Sequence, residues 1–266
     1  MTLIGRTHSV IAFNSAAKSD NLMHNDDYAK AKGFRGGLVP GTDGYGYMTN
    51  PAVQAWGGDW LRQGYAEFRL LQPLFQGDPV DNEVIAASDT ELQIRQNMEG
   101  AETATATFRA SHDLDAAALE PIAEMPATDP DTRPPASEET LGTGKTLGVI
   151  RRRLSSTDAE AVLRELSETA PEYSDLGAIH PAYQMRMCNW CLSLNVKMRP
   201  WIHTGSKVYN FDILPVDQDI TARAQILRNY DHKGHQFVEA DIRFSDAGDR
   251  LLSRVLHTAI WSVRPA

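Results

Sequence analysis

The segment at residues 19–42, SDNLMHNDDYAKAKGFRGGLVPGT, places a histidine beside a glycine-rich loop. The imidazole of His24 can take up or release a proton near neutral pH. Glycines such as Gly37 let a backbone pass close to a ligand. A helix that begins after Pro40 and Gly41 would carry unpaired amide groups in its first turn, where they can stabilise negative charge on an oxygen. The segment therefore predicts a site for proton transfer next to an anionic oxygen.

This segment resembles the MaoC-type (R)-specific enoyl-CoA hydratases and dehydratases of the hotdog fold. The resemblance is carried by Asn21, His24, Asp26, Tyr28-Ala29, Gly33-Phe34 and Gly37 to Gly41. In that family an aspartate and a histidine five residues later form the catalytic dyad. His24 matches the histidine, whereas Ser19 stands at the aspartate position and Asp20 follows it.

The resemblance implies addition of water to a 2-enoyl thioester, or the reverse reaction. The amides of Gly41 and Thr42 would polarise the thioester carbonyl, and His24 would deprotonate the water. Since Ser19 carries no charge, either Asp20 supplies the missing carboxylate or the chemistry differs. No metal or redox cofactor is implied, because coenzyme A enters only as part of the substrate.

Other residues near the loop are predicted to bind substrate. Asn21, Gly37 and Pro40 belong to the motif itself. Arg35 is the expected contact for coenzyme A phosphates. Tyr45 belongs to an aromatic cluster that either packs in the core or contributes to a tunnel for the acyl chain.

Two halves of the chain show the same order of predicted elements. The first half holds a strand near 7–14, a helix near 42–57 and strands near 65–74, 79–88, 90–98 and 101–110. The second holds a strand at 147–154, a helix from Thr157 with Glu160 as its capping box, a helix at 181–195 and strands near 207–214, 219–230, 235–245 and 250–263. The turn motifs at 71–80 and 213–220 are also alike. This order predicts an α+β fold, and the family resemblance implies a tandem, or double, hotdog in which each antiparallel sheet wraps a long helix.

A proline-rich stretch separates the halves. Residues 121–135 contain five of the 14 prolines, which exclude a regular helix or a central strand. We therefore expect an N-terminal module at 1–115 with the active loop, a linker at 116–145 and a C-terminal module at 146–266.

Composition excludes several classes of protein. The net charge of −9 disfavours nonspecific nucleic-acid binding. No apolar run approaches the ~20 residues that cross a bilayer. Two cysteines and the lack of a secretory signal favour the cytoplasm. The expected partner is an acyl-CoA or acyl-carrier-protein thioester, and the expected assembly is a monomer or a homodimer.

Three functions stay open at this point. The first is a hydratase or dehydratase. The second is a hotdog acyl-CoA thioesterase, and the third is a non-catalytic binder of acyl thioesters, made plausible by Ser19. Among other candidates, the C-x-x-C at Cys188 is expected to pack in a helix, His180 to cap one, and the pair His203 and Ser206 to lack the setting of a serine hydrolase.

Overall fold

The computed structural model describes residues 3–198 and 200–263. Its strands are β1 (Thr7–Ile11), β2 (Tyr65–Leu70), β3 (Pro79–Ala87), β4 (Glu91–Met98), β5 (Ala101–Arg109), β6 (Ile150–Arg153), β7 (Ile202–Asn210), β8 (Asp219–His232), β9 (His235–Ser245) and β10 (Leu251–Ser262). Its helices are α1 (Asp26–Ala31), α2 (Gly41–Gln63), α3 (Ser156–Glu165), α4 (Glu172–Leu176) and α5 (Pro181–Ser193), with short 3₁₀ helices at Leu22–His24 and Ala116–Ala118.

These strands form one antiparallel sheet in the order β1-β3-β4-β5-β2-β7-β10-β9-β8-β6. The two halves meet where β2 pairs with β7, with Phe68 opposite Ser206. Each half thus contributes a continuous block of five strands. This arrangement confirms the predicted α+β class, and it joins the sheets of the two halves edge to edge.

The halves repeat one feature that positions their central helices. The amide of Val39 donates to the carbonyl of Leu74 at 2.8 Å, and the amide of Ile179 donates to the carbonyl of Leu214 at 2.7 Å. The two donors are 140 residues apart, and so are the two acceptors. In each half, the turn before a long strand therefore accepts a hydrogen bond from the segment just before a helix. That helix is α2 in the first half and α5 in the second.

The helix α2 runs further than predicted. We expected its end near 57, and Gly57 does leave the helical conformation, with φ of 59°. The chain then resumes the helix and continues to Gln63. A positive φ is accessible to glycine at little cost, so Gly57 kinks the helix without ending it.

Other boundaries also differ from the prediction. The helix α3 begins at Ser156, because the Ser155 hydroxyl accepts the Asp158 amide and caps it. The strand β7 begins at Ile202 and ends at Asn210, where Phe211 turns away to donate to the carbonyl of Leu252. The short helices α1 and α4 were not predicted, because five or six residues carry too little periodicity.

The linker lies along the second half. The segment at 116–145 forms a bridge between Met125 and Gly148 and another between Pro135 and Lys197. Glu124 forms ion pairs with Arg151 and Arg223. The division into modules at 1–115 and 146–266 stays a prediction.

The two cysteines are buried free thiols of α5, and burial raises the pKa of each. A buried thiol with a raised pKa is a poor nucleophile. Within residues 3–198 and 200–263, no helix is long and apolar enough to span a bilayer.

Candidate functional site

A cavity of about 320 Å³ opens beside the start of α2. We call it the apolar cavity, because hydrocarbon side chains dominate its wall. The loop before α2 supplies His24 and Phe34, the end of β2 and the following turn supply Leu70 and Leu74, and the second half supplies Ile202. Both halves therefore build this cavity.

His24 presents one imidazole nitrogen as a hydrogen-bond acceptor. Its Nδ1 lies 2.7 Å from the carbonyl oxygen of Leu38, which can only accept, so Nδ1 carries the proton. Its Nε2 lies 3.3 Å from the side-chain nitrogen of Asn21 and accepts from it. Burial lowers the pKa of His24, although the Leu38 carbonyl and the charge of Asp43 oppose the change. The imidazole is therefore neutral at pH 7, with a basic Nε2.

Local contacts hold this loop in place. Asn21 caps the 3₁₀ helix, and its side-chain nitrogen also donates to the carbonyl of Trp201 in the second half at 3.1 Å. The amide of Gly37 donates to Asp26 at 2.8 Å. A Cβ at Gly37 would lie 2.3 Å from the carbonyl oxygen of His24, so only glycine permits this approach.

The N-terminus of α2 has free amide groups. Pro40 is its N-cap and supplies no side-chain hydrogen bond. The amides of Asp43 and Gly44 donate to the carbonyl of Pro40, whereas those of Gly41 and Thr42 have no acceptor among the described residues. Two free amides and the positive end of the helix dipole together suit an oxygen that gains negative charge.

The second half closes the equivalent position. There the N-cap is His180, whose Nδ1 accepts the amide of Ala182 at 3.1 Å. Pro181, at the position of Gly41, has no amide hydrogen. The Nε2 of His180 lies 3.7 Å from a buried oxygen of Glu168. Since α5 offers no free amide in this turn, the start of α2 can bind an anionic oxygen in this way and the start of α5 cannot.

Sequence reasoning missed Asp43, in the first turn of α2. Its side chain is 1% exposed and accepts from the Nε and Nη2 of Arg186 at 3.2 and 2.9 Å. The Ser15 hydroxyl also donates to it. An acidic residue in a first turn is usually explained by the helix dipole, so nothing in the sequence indicates an ion pair between the two halves.

A second cavity of about 680 Å³ adjoins the first. We call it the basic cavity, because Lys18, Arg133 and Lys197 line it and none of the three has a carboxylate partner in the described part of the chain. The two cavities share wall residues, namely Asn21, His24, Pro40, Asn189 and Trp201. His24 and the start of α2 thus lie between an apolar and a basic compartment.

Asn189 adds an unused acceptor at this junction. It projects from α5, and its Oδ1 is buried without a hydrogen-bond partner. A buried polar atom without a partner costs free energy. A ligand that carries an N–H group could satisfy it.

The structure separates the predicted site residues into two groups. His24, Asn21, Pro40 and Gly41 line the apolar cavity. Three other predicted site residues line the basic cavity, namely Ser19, Asp20 and Thr42.

Three predicted binding residues lie elsewhere, and the first of them, Gly37, lines neither cavity. Tyr45 is fully buried and stacks on Phe68 at 4.2 Å between ring centroids, so it packs in the core and lines neither cavity. The Arg35 guanidinium pairs with Asp78 and covers the Phe75 ring, away from both cavities. The Arg35 guanidinium thus already has a carboxylate partner, and its placement on the coenzyme A phosphates stays a prediction.

A buried polar chain lies behind the apolar cavity. The Ser206 hydroxyl lies 3.0 Å from Nε2 of His203 and 3.0 Å from Nδ1 of His257. Burial lowers the pKa of His203 to about 3 and that of His257 well below its usual range. His203 lines the cavity and Ser206 does not.

No group of three or more histidine, cysteine, aspartate or glutamate side chains in the described ranges is arranged to hold a metal ion.

No protein-family model matches the sequence, and no curated protein matches it. Solved structures do match, over almost the whole chain. A MaoC-like dehydratase superposes with a TM-score of 0.63 at 15% identity, over 98% of this chain and 99% of that chain. Rv0216 from Mycobacterium tuberculosis, described as a double hotdog fold, gives 0.62 at 12% identity, over 97% and 96%. A Lactobacillus plantarum protein assigned as an oleoyl thioesterase gives 0.56 at 12% identity, over 100% of both chains.

At these identities the similarity establishes the fold. The chain is a double-hotdog protein with the fold of the MaoC-like dehydratases, as the residues of the loop predicted. Because this fold is shared with a protein assigned as a thioesterase, the activity has to be argued from the site.

Proposed function

We propose that this protein adds water to a 2-enoyl thioester, or removes it from the matching 3-hydroxyacyl thioester. The observation that carries the proposal is the neutral His24, whose Nε2 is an acceptor at the junction of the two cavities, where Gly41 lines the apolar cavity and Thr42 the basic one. Most of the cavity wall is apolar, so the free amides and Nε2 of His24 would orient a thioester there.

The proposed reaction transfers one proton twice, by way of His24, and forms one carbon–oxygen and one carbon–hydrogen bond. The amides of Gly41 and Thr42 would bind the thioester oxygen, which draws electrons from the double bond. A water held by Asn21 would give a proton to Nε2 of His24 while its oxygen bonds to the β-carbon. The electron pair of the double bond passes to the thioester as an enolate. The protonated His24 then returns its proton to the α-carbon, so the neutral imidazole is regenerated.

The carboxylate of the family dyad has no direct equivalent. Ser19 and Asp20 are both exposed beside the basic cavity. The charge of Asp43 raises the pKa of His24, so Asp43 is the carboxylate whose field favours protonation of that imidazole. Asp43 is held by Arg186, and it would act by stabilising the imidazolium rather than by taking a proton.

The basic cavity supports a phosphorylated carrier. Lys18, Arg133 and Lys197 would bind phosphate oxygens, and the free Oδ1 of Asn189 would accept from an amide of the pantetheine arm. Coenzyme A would place its nucleotide in this cavity of about 680 Å³. An acyl-carrier protein would instead present its own surface at the mouth of the cavity.

Thioester hydrolysis is the second candidate. Ser19 in place of the dyad aspartate favours it, because the group expected to activate water for addition is absent. In that reaction the same water would attack the carbonyl carbon and release the thiol.

Purified protein with crotonyl-CoA and 2-octenoyl-CoA distinguishes these functions when two signals are followed separately. Loss of the ultraviolet absorbance of the conjugated thioester without release of free thiol supports hydration. Release of free thiol supports hydrolysis and overturns the proposal. Binding of both compounds with neither signal leaves a non-catalytic binder.

A further inference from the structure

His203 reaches the apolar cavity from the second half through an irregularity of β7. Two adjacent residues of β10 pair with Gly205 and His203, so Thr204 is an extra residue in β7. In a regular strand, residues three apart lie on opposite faces. The bulge at Thr204 instead lets His203 and Ser206 both face the buried side of the sheet. The imidazole of His203 thereby lines the cavity.

The buried chain of Ser206 and His257 holds the far nitrogen of this ring. Nε2 of His203 lies 3.0 Å from the Ser206 hydroxyl, which lies 3.0 Å from Nδ1 of His257. Both imidazoles are neutral, since burial lowers the pKa of each. A hydroxyl has one proton to donate. When Ser206 donates it to His203, Nδ1 of His203 carries the proton of that ring. A ligand oxygen at Nδ1 would select this arrangement.

Nδ1 of His203 stands beside the first residue of α2. His203 is 5% exposed, and its Nδ1 has no hydrogen-bond partner among the described residues. The distance from Nδ1 to the place of a Cβ at Gly41 is 3.4 Å. Since a Cβ lies about 2.5 Å from the amide nitrogen of its own residue, Nδ1 and the Gly41 nitrogen are at most about 6 Å apart. One oxygen can therefore accept a hydrogen bond of ~2.9 Å from each of them.

The group next to Gly41 is able to move. Cδ1 of Leu70 is the atom nearest to the place of a Cβ at Gly41. It is the end of a flexible side chain that is only partly buried and lines the apolar cavity. A change of rotamer at Leu70 moves this methyl group without moving any backbone. A bound thioester would displace it and bring its oxygen to Gly41 and His203.

We infer that Nδ1 of His203 donates a hydrogen bond to the thioester oxygen, beside the amide of Gly41. The inference rests on the proposed function, because it takes the start of α2 as the place of the thioester. A buried N–H group without a partner costs free energy, and the thioester oxygen would satisfy it. The second half would thus supply one of the donors that polarise the reacting group.

Two saturated ligands isolate the contribution of this oxygen. Butyryl-CoA carries the carbonyl group, whereas S-butyl-CoA has a methylene group in its place. Neither compound has the double bond to which water adds. Calorimetry gives the Kd of each, and the ratio of the two Kd values measures recognition of the oxygen, because the contacts of the carrier are common to both ligands.

His203→Asn and His203→Leu form a pair of variants of nearly equal size. Asparagine keeps a donor nitrogen near the place of Nδ1, whereas leucine has none. One neutral hydrogen bond corresponds to about threefold to tenfold in Kd. We therefore expect His203→Leu to weaken butyryl-CoA by that factor and to leave S-butyl-CoA unchanged, and His203→Asn to keep most of the preference for butyryl-CoA. His232→Leu is the control, since His232 is exposed on β8.

Circular dichroism shows whether the variants fold. If His203→Leu does not, His203→Phe takes its place, because Ser206 can then still donate to His257. If the wild type prefers butyryl-CoA and the leucine or phenylalanine variant keeps the full preference, the inference is wrong and the proposed function stands. The inference is also wrong if His203→Asn loses as much of the preference as His203→Leu. If the wild type binds the two ligands alike, or binds neither, the thioester oxygen is not recognised, and the proposed function fails together with the inference.

Discussion

The ion pair between Arg186 and Asp43 joins the two central helices, and its removal gives a quantitative test. Arg186 on α5 contacts Asp43 of α2 through two nitrogens and also lies 2.9 Å from Glu165. The Asp43 side chain is 1% exposed and that of Arg186 is 17% exposed. Arg186→Met keeps most of the aliphatic bulk of the side chain. It leaves the Asp43 carboxylate buried, with the uncharged hydroxyls of Ser15 and Thr42 as its remaining donors.

Removing one member of a buried ion pair costs ~3–5 kcal/mol. Because Ser15 still donates to Asp43, we expect the lower end, about 3 kcal/mol less free energy of unfolding. The double variant Asp43→Asn with Arg186→Met removes both charges, so it should recover most of this loss. The unpaired Asp43 charge should also raise the pKa of His24 in the single variant.

Urea unfolding followed by circular dichroism measures these differences. Arg164→Met is the matched control, since Arg164 is 69% exposed in its ion pair with Glu160 and such pairs contribute ~0.2–1 kcal/mol. If Arg186→Met loses less than about 1 kcal/mol in free energy of unfolding, or if the double variant is less stable than the single one, the ion pair does not stabilise the contact between α2 and α5.

Four more predictions concern pH and the residues at the position of the family dyad. The unfolded chain protonates a histidine near 6.5, whereas folded His203 does so at about 3. Between these pH values His203 is protonated in the unfolded state and not in the folded state. The free energy of unfolding should therefore fall by ~1.4 kcal/mol for each pH unit below 6.5 because of this residue. Urea unfolding at several pH values should show a shallower dependence on pH for His203→Gln than for the wild type. Since burial lowers the pKa of His24, the acid limb of the kcat/KM profile should lie below pH 6.5, and a limb above it would contradict a neutral base. If Asp20 supplies the carboxylate, Asp20→Asn should lower the rate of hydration far more than Asp26→Asn, and equal rates in the two variants would exclude that role. If Ser19→Asp restores the dyad, it should raise the rate of hydration, whereas a lower rate would point to different chemistry.

The fold and the centre of the site were predictable from sequence because their signals are local. The loop around His24 carries glycines and a helix start within a few residues. The repeated order of elements predicts two similar halves, and the turns at 71–80 and 213–220 do occupy equivalent places. Both depend on patterns that neighbouring residues determine.

The remaining parts of the site depend on contacts between distant segments. Asp43 finds its partner 143 residues away in Arg186, and the basic cavity combines Lys18, Arg133 and Lys197 from three segments. No periodicity or spacing relates such residues. The sequence also does not reveal the ion pair of Arg35, because its partner Asp78 is far along the chain. Arg35 was therefore predicted to contact phosphates.

The proton-transfer role of His24 is the central claim, and turnover of an enoyl-CoA by His24→Ala tests it most directly. The measurement is the initial rate of hydration at neutral pH, with His232→Ala as the control because His232 is exposed on the far end of β8. A positioned acid or base contributes ~10²–10⁴-fold, so we predict a loss of that size in His24→Ala and none in His232→Ala, with both proteins still folded by circular dichroism. Hydration by His24→Ala within a few-fold of the wild-type rate would contradict the account.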